Sequence, residues 1–208
     1  MDRRVSKQVM VGQVAIGGGA PITVQSMLNI PAHDIEGNVA QALRLQACGC
    51  DIIRTAVPDK EAVQLVAALK EALTIPVVAD IHFDYQLALE SAAAGVDKIR
   101  INPGNIGEES RVKAVAQECR RRNIPIRIGV NSGSLEKEIL AKYGHPTPEA
   151  MRDSALYLLR RIFAVTDKVE LLAAEEVDNL TDSCASLTDT CTDGVNIFVC
   201  AVNSNLAS

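Results

Sequence analysis

Five short runs of apolar residues recur along the first two-thirds of the chain, and each run ends in polar side chains. Helical stretches such as EGNVAQALRLQACG and DKEAVQLVAALKEAL lie between the runs. Apolar runs rich in Ile and Val predict buried parallel strands, and centres about 20–30 residues apart predict strand–helix units. The runs are ITVQSMLN (22–29), DIIRTAVP (51–58), IPVVADIHF (75–83), DKIRINPGN (97–105) and IPIRIGVNSGS (124–134). The predicted fold is therefore α/β, a partial TIM-like (β/α) barrel with about five parallel strand–helix units after an N-terminal hairpin.

The polar residues at the ends of these runs are the candidates for a functional site. In (β/α) barrels the chemistry lies at the carboxyl ends of the strands. Side chains two residues apart on a strand point to the same face. The pairs that share a face in this way are Asp80 with His82, Arg100 with Asn102, and Arg127 with Asn131.

Three of the strand ends carry an arginine, namely Arg54, Arg100 and Arg127. Three guanidinium groups that converge on one barrel mouth repel each other unless an anion lies between them, and their planar forks suit phosphate oxygens. The alternative is that each arginine pairs with a carboxylate on the barrel rim. Because Asp80 is the single carboxylate among these strand-end residues, the balance favours a phosphorylated ligand.

Longer motifs carry a specific resemblance to one enzyme family, the 4-hydroxy-3-methylbut-2-enyl diphosphate synthases of the methylerythritol phosphate route to isoprenoids. The similarity runs from about residue 5 to about residue 162. The motifs that carry it are VQSM (24–27), HDIEGNVAQALRL (33–45), DIIRTAVPD (51–59), ADIHF (79–83), KIRINPGNIG (98–107), IRIGVNSGSLEKEIL (126–140) and YGHPTPEAM (143–151).

This resemblance implies an oxidoreductase in which a TIM-like barrel is joined to a separate [4Fe–4S] domain. The family reductively opens 2-C-methyl-D-erythritol 2,4-cyclodiphosphate with electrons from flavodoxin or ferredoxin, and a cytoplasmic homodimer is expected. By the resemblance, Asp80 and His82 are the catalytic residues. The expected substrate-binding residues are Arg54, Arg100, Asn102, Arg127, Asn131 and Ser134.

The length of the chain changes this picture. A closed barrel takes eight strands and about 200–250 residues, whereas only five strand–helix units are legible here. Residues 1–163 are therefore predicted to be a partial barrel that holds the substrate-binding half of the enzyme. Without further strands, the first and fifth strands are expected to be open edges that promote self-association. The alternative function is a non-catalytic fragment that binds diphosphate weakly, and a third possibility is another phosphate-binding barrel, such as a pterin-binding synthase.

Residues 164–208 differ in composition from the rest of the chain. They contain one basic residue, Lys168, against eight acidic ones, which gives this segment a net charge of −7. A helix is predicted through LLAAEEVDNL (171–180) and one short strand through NIFVCAV (196–202). No further strand–helix rhythm is visible, so the segment is interpreted as an atypical acidic tail, frameshifted or disordered, with a variant C-terminal module as the alternative.

The six cysteines predict no metal site in this chain. Three of them, Cys48, Cys50 and Cys119, are expected to be small buried packing residues. The other three are spaced C-x6-C-x8-C, and they lack the close pair that iron–sulfur segments usually contain. These three are Cys184, Cys191 and Cys200. The ligands of the family's [4Fe–4S] cluster are therefore expected to be absent from the sequence.

Composition argues against two classes of partner. Aromatic residues make up 3% of the chain, Trp is absent and the net charge is −5, which argues against binding to nucleic acid. No run of 18 apolar residues and no secretory leader is present, so neither a membrane span nor export is expected. The glycines at 17–19 are interpreted as the turn of the N-terminal hairpin, which is placed under the barrel.

Overall fold

The computed structural model describes residues 8–102, 105–163, 186–190 and 196–202. Its strands are β1 (Val9–Val11), β2 (Val14–Ile16), β3 (Gln25–Met27), β4 (Ile52–Val57), β5 (Val77–Ile81), β6 (Lys98–Ile101), β7 (Ile126–Asn131), β8 (Ser186–Thr190) and β9 (Asn196–Val202). Its helices are α1 (Ile35–Ala47), α2 (Lys60–Ala72), α3 (Tyr85–Ala93), α4 (Glu109–Arg122), α5 (Lys137–Tyr143) and α6 (Pro148–Phe163).

Strands β3 to β7 form the parallel sheet that the apolar runs predicted. They lie side by side in chain order, and each neighbouring pair is parallel. One helix separates each pair of strands up to β7, so the repeated strand–helix units are confirmed. The sheet curls into a half-barrel, because Lys98 on β6 reaches Gln25 on β3 although two strands lie between them.

The main hydrophobic core lies between the convex face of this sheet and the helices. Alternate strand residues supply one side of the core, and the buried faces of the helices supply the other. The strand residues that are fully or almost fully buried in it are Ile53, Val57, Val77, Ala79, Ile81, Ile99, Ile101, Ile126, Ile128 and Val130. The opposite, concave face is therefore left for the polar side chains.

Short polar side chains lie at the N-termini of helices, where they accept hydrogen bonds from backbone N–H groups that have no partner within the helix. Asp34 accepts a hydrogen bond from the Gly37 N–H at 2.9 Å, and Thr147 accepts one from the Ala150 N–H at 3.0 Å. Asp34 and Thr147 are therefore the N-caps of α1 and α6. In the part of the chain that the structure describes, no helix is both long and apolar enough to cross a bilayer.

The N-terminal hairpin is present, but its turn is not the one predicted. β1 and β2 pair antiparallel with Val11 opposite Val14, so Gly12 and Gln13 form the turn. Gly12 has a φ of +56°, which suits a two-residue hairpin turn. The glycines at 17–19 follow the hairpin instead. Gln13 Nε2 donates to the Thr74 carbonyl oxygen at 2.5 Å, just before β5, so the hairpin does lie under the barrel.

The C-terminal segment adds two strands to the sheet, which corrects the expected open edge at β7. β9 pairs parallel with β7, and β8 pairs antiparallel with β9, so the sheet order ends in β7-β9-β8. The strand predicted at residues 196–202 is confirmed. The edges of this sheet are β3 and β8 rather than β3 and β7. The helix predicted at residues 171–180 lies outside the described residues.

Candidate functional site

The concave side of the sheet, called here the inner face, collects charged side chains at the carboxyl ends of the strands. The alternation that sends the isoleucines to the helices sends the intervening residues inward. The charged inner-face residues are Arg54 on β4, Asp80 on β5, Lys98 and Arg100 on β6, and Arg127 on β7. The inner face is therefore the candidate ligand-binding surface.

Asp80 is the centre of the site, because its carboxylate holds two of the arginines. Its side chain is 1% exposed. Arg54 donates to Oδ2 through Nε at 2.9 Å and also through Nη2, while Arg100 Nη1 donates to Oδ1 at 3.0 Å. The alternative that the arginines pair with a carboxylate is thus realised for Arg54 and Arg100, and both guanidinium groups are held in place.

The register of the strands shows that the three arginines are not at equivalent levels. Arg100 is the register partner of Asp80 on one side and of Arg127 on the other. Arg54, in contrast, aligns with Val78, which lies two residues before Asp80. Arg54 therefore starts at a lower level than Arg100 and Arg127, and its long side chain extends diagonally towards β5 to reach Asp80.

Arg127 differs from the other two arginines, because none of the described carboxylates pairs with it. Arg127 lies directly opposite Arg100 in the strand register, and its side chain is half-buried. Among the described residues, the inner face therefore carries three guanidinium groups and the Lys98 ammonium group against the single carboxylate of Asp80. An excess of cations on one concave surface is the electrostatic signature of an anion site.

Lys98 is the site residue that the sequence analysis missed. Its side chain is buried on the inner face, and Nζ lies 3.5 Å from Gln25 Oε1. Burial, together with the nearby charges of Arg127 and Arg54, lowers the pKa of Lys98 from its ordinary value of 10.5 to about 8. The strand alternation could have identified Lys98, because the same two-residue spacing that groups Arg100 with Asn102 also includes Lys98.

The buried Lys98 predicts a specific pH dependence of stability. Below pH 8 the ammonium group is charged in both the folded and the unfolded protein, so the cost of burying the charge is fully present. Between pH 8 and the ordinary value of 10.5, the folded protein has lost this proton while the unfolded protein still carries it. Relative to a Lys98→Met variant, the free energy of unfolding should rise by about 3 kcal/mol over this range. Urea unfolding at a series of pH values measures it, and parallel curves for the two proteins would contradict it.

Asn102 and Ser134, two of the predicted site residues, are brought together at the top of β6 and β7. Asn102 is 3% exposed, and its Nδ2 donates to Ser134 Oγ at 2.6 Å. Ser134 belongs to the short 3₁₀ helix Ser132–Ser134 that follows β7 directly. Asn131 ends β7, and its side chain lies outside the part that the structure describes.

His82 stands at the rim of the site, just beyond the end of β5. Its Nε2 lies 3.9 Å from Asp80 Oδ2, beyond hydrogen-bond distance, and its side chain is 40% exposed. The ring is inclined at 41° to that of Phe83. The histidine is therefore close to the buried carboxylate and open to solvent, a position from which it can meet a ligand in the mouth.

The described cysteines do not form a metal site. Cys50 and Cys119 are buried as predicted, but Cys48 is exposed, because it caps the solvent side of the C-terminus of α1. Burial raises the pKa of the Cys119 thiol to about 12, with the charge of Glu118 adding to the effect. Among the described residues no group of three or more His, Cys, Asp or Glu side chains is arranged to hold a metal ion. Cys184 and Cys191 lie outside the described residues, and Cys200 is one of the residues of β9.

The fold and the site together define a (β/α)-barrel protein with a cationic mouth. The chain belongs to the GcpE TIM-barrel domain family, whose model matches residues 6–197. It is 57% identical over 156 residues to the 4-hydroxy-3-methylbut-2-en-1-yl diphosphate synthase (flavodoxin) of Azotobacter vinelandii. It is 56% identical over 156 residues to the enzyme of the same name from Saccharophagus degradans. The family resemblance seen in the motifs is confirmed.

The matches differ in how much of each chain they cover. Both relatives are matched over 75% of this chain, and this chain spans 42% of their length. Among solved structures, the 7,8-dihydropteroate synthase of Vibrio fischeri superposes with a TM-score of 0.56 at 13% identity, over 77% of this chain and 63% of that chain. At this identity the likeness shows the barrel fold alone.

Proposed function

We propose that this chain is the substrate-binding part of a 4-hydroxy-3-methylbut-2-en-1-yl diphosphate synthase, and that its inner face binds 2-C-methyl-D-erythritol 2,4-cyclodiphosphate. The observation that carries the proposal is the excess of cations on the described inner face, which has four cationic side chains and one buried carboxylate. A diphosphate supplies the negative charge that this surface lacks. The names of the relatives point to a diphosphate in the same reaction.

The cationic residues take different parts in this binding. Arg127, which no described carboxylate neutralises, is the main ligand for phosphate oxygens. Arg100 uses one nitrogen for Asp80 and keeps the other edge of its guanidinium group for the ligand. Arg54 gives both Nε and Nη2 to Asp80, so it mainly fixes that carboxylate and adds charge to the site. Lys98, deeper in the half-barrel, supplies a further positive charge below the phosphates.

The polar residues at the rim orient the rest of the ligand. Asn102 and Ser134 hold each other at 2.6 Å, so both polar side chains lie in fixed positions at the rim. We assign Asn131 to the same set from its position at the end of β7. His82 is assigned as the proton donor or as a diphosphate ligand, because it stands at the rim with Nε2 3.9 Å from Asp80 Oδ2.

The reductive step requires electrons that the inner face does not supply. Flavodoxin is the donor that we propose, from the printed names of the relatives. The described residues do not fit a [4Fe–4S] cluster, since they provide no ligand group for one. The proposal for this chain is therefore limited to binding and orienting the substrate. A cytoplasmic location and a homodimer belong to the same proposal.

Titration calorimetry with a panel of ligands tests this function on the full 208-residue chain. The cyclic diphosphate and inorganic diphosphate should bind with one site per chain, while 2-C-methyl-D-erythritol without phosphate should not bind measurably. Equal affinity for any polyanion of similar charge, such as citrate, would mean diffuse electrostatics and would contradict the proposal. Turnover of the cyclic diphosphate with reduced flavodoxin separates an active enzyme from a fragment that only binds.

A further inference from the structure

A glycine on the inner face of β7 gives Arg100 the space that it occupies. Gly129 is buried and lies between Arg127 and Asn131 along the strand. A Cβ atom built on Gly129 would lie 2.5 Å from Arg100 Nε, 2.7 Å from Nη2 and 3.0 Å from Cζ. Carbon and nitrogen atoms that are not bonded do not approach so closely. The guanidinium group of Arg100 therefore fills the volume that any other residue at 129 would need.

The backbone at this position does not itself demand glycine. The described glycines with a positive φ are at other positions, so Gly129 has a conformation that an alanine adopts without strain. The three nearest atoms to the added Cβ all belong to Arg100. The nearest obstacle to a side chain at 129 is therefore the side chain of Arg100.

The two edges of the Arg100 guanidinium group have different surroundings. Nη1 donates to Asp80 on β5, while Nε and Nη2 lie beside Gly129 on β7. The Nε–Nη2 edge is one of the two edges with which arginine binds phosphate oxygens in a bidentate way. It lies against the strand that carries Arg127, the register partner of Arg100. A side chain at 129 would displace this edge from its place beside β7.

We propose that Gly129 is a positioning residue, and that its missing side chain forms a seat that holds the Nε–Nη2 edge of Arg100 beside Arg127 for joint binding of phosphate oxygens. The ligand in this inference rests on the proposed function, whereas the seat itself is a property of the ligand-free protein. Because the atoms that clash are at the end of a long side chain, Gly129→Ala is expected to move Arg100 rather than to unfold the chain.

A double-mutant cycle read by titration with inorganic diphosphate tests the coupling. Gly129→Ala should weaken binding about tenfold, the size of one charged hydrogen bond. In the Arg100→Ala background the same alanine should change the affinity less than about twofold, since the seat then has no occupant. A tenfold loss in both backgrounds would show that Gly129 acts without Arg100, and would overturn the inference.

A measurement without ligand separates this inference from the proposed function. In ¹⁵N NMR spectra of the arginine Nε–Hε groups, the Arg100 signal is identified by its loss in Arg100→Lys. Gly129→Ala should shift that signal and leave those of Arg120 and Arg121, at the exposed end of α4, in place. If Gly129→Ala leaves the Arg100 signal in place, the seat is wrong. If the signal shifts but the protein binds no diphosphate, the seat stands and only the proposed function is wrong.

A folding control keeps the test decisive if Gly129→Ala alone does not give a folded protein. The double variant Gly129→Ala, Arg100→Ala removes the only side chain among the described residues that lies within 3.0 Å of the added methyl group. Recovery of folding in the double variant supports the seat. Failure of both variants would mean that the methyl group meets another obstacle, and would count against the inference.

Discussion

Replacing Asp80 with asparagine is expected to lower the free energy of unfolding by about 3–5 kcal/mol, the cost of leaving buried charges without their partner. The carboxylate is 1% exposed, and it is the described ion-pair partner of both Arg54 and Arg100, whose side chains are 22% and 14% exposed. Asparagine keeps the shape but removes the charge. Urea unfolding of the full chain at pH 7 measures the loss, and addition of diphosphate should recover part of it.

Glu118→Gln is the matched control for this prediction. Glu118 also pairs with two arginines, Arg121 and Arg122, but these pairs lie on the surface of α4. Exposed ion pairs contribute less than about 1 kcal/mol, so this substitution should change stability little. If Asp80→Asn and Glu118→Gln have equally small effects, Asp80 is not the buried centre of charge that we describe.

Arg127→Ala is expected to weaken the binding of the cyclic diphosphate by about one to two powers of ten. A charged hydrogen bond to phosphate contributes roughly 1.5–3 kcal/mol, and none of the described carboxylates competes for this guanidinium group. Arg127→Lys should recover only part of the affinity, because the planar fork is lost. Stability should change little, since removing Arg127 also relieves its repulsion with Lys98.

The control for Arg127 is Arg122→Ala at the end of α4. Arg122 pairs with Glu118 at 2.5 Å, away from the inner face. Its removal changes the net charge of the chain by the same amount as Arg127→Ala. Titration calorimetry should therefore show an affinity for the cyclic diphosphate close to that of the unmodified chain. Equal losses at the two positions would indicate long-range electrostatics rather than a defined site.

The inner face was predictable from the sequence because strand alternation needs only local information. The alternation in KIRIN assigns Arg100 and Asn102 to one face and Ile99 and Ile101 to the other, and the structure shows this division. The same rule applied two residues earlier would have found Lys98. Lys98 was not predicted because it lies at the amino end of β6, away from the polar strand ends, and its low pKa arises from burial inside the curled sheet.

The ion pairs could not be predicted, because they depend on how neighbouring strands are staggered. Alternation repeats every two residues, so it does not distinguish Val78 from Asp80 as the partner of Arg54. The stagger places Arg54 one step lower and directs its side chain diagonally to Asp80. The dependence of Arg100 on Gly129 has the same origin, since it joins residues on adjacent strands.

The two ends of the chain were the least predictable. Three consecutive glycines suggested a turn, yet the turn formed at Gly12, where the flanking valines pair better across the hairpin. In the acidic segment, Asn196–Val202 was visible as an apolar run, but its place beside β7 depends on contacts between distant parts of the chain. Neither a turn choice nor a long-range pairing is encoded in a local pattern.

A crystal structure of the full chain with 2-C-methyl-D-erythritol 2,4-cyclodiphosphate tests the central claim most directly. The account predicts phosphate oxygens within about 3 Å of the guanidinium groups of Arg100 and Arg127, with Asp80 still bound to Arg54. The carbon skeleton should face His82, Asn102 and Ser134. Phosphates found at the opposite end of the sheet, near the hairpin, or at the exposed arginines of α4 would contradict it.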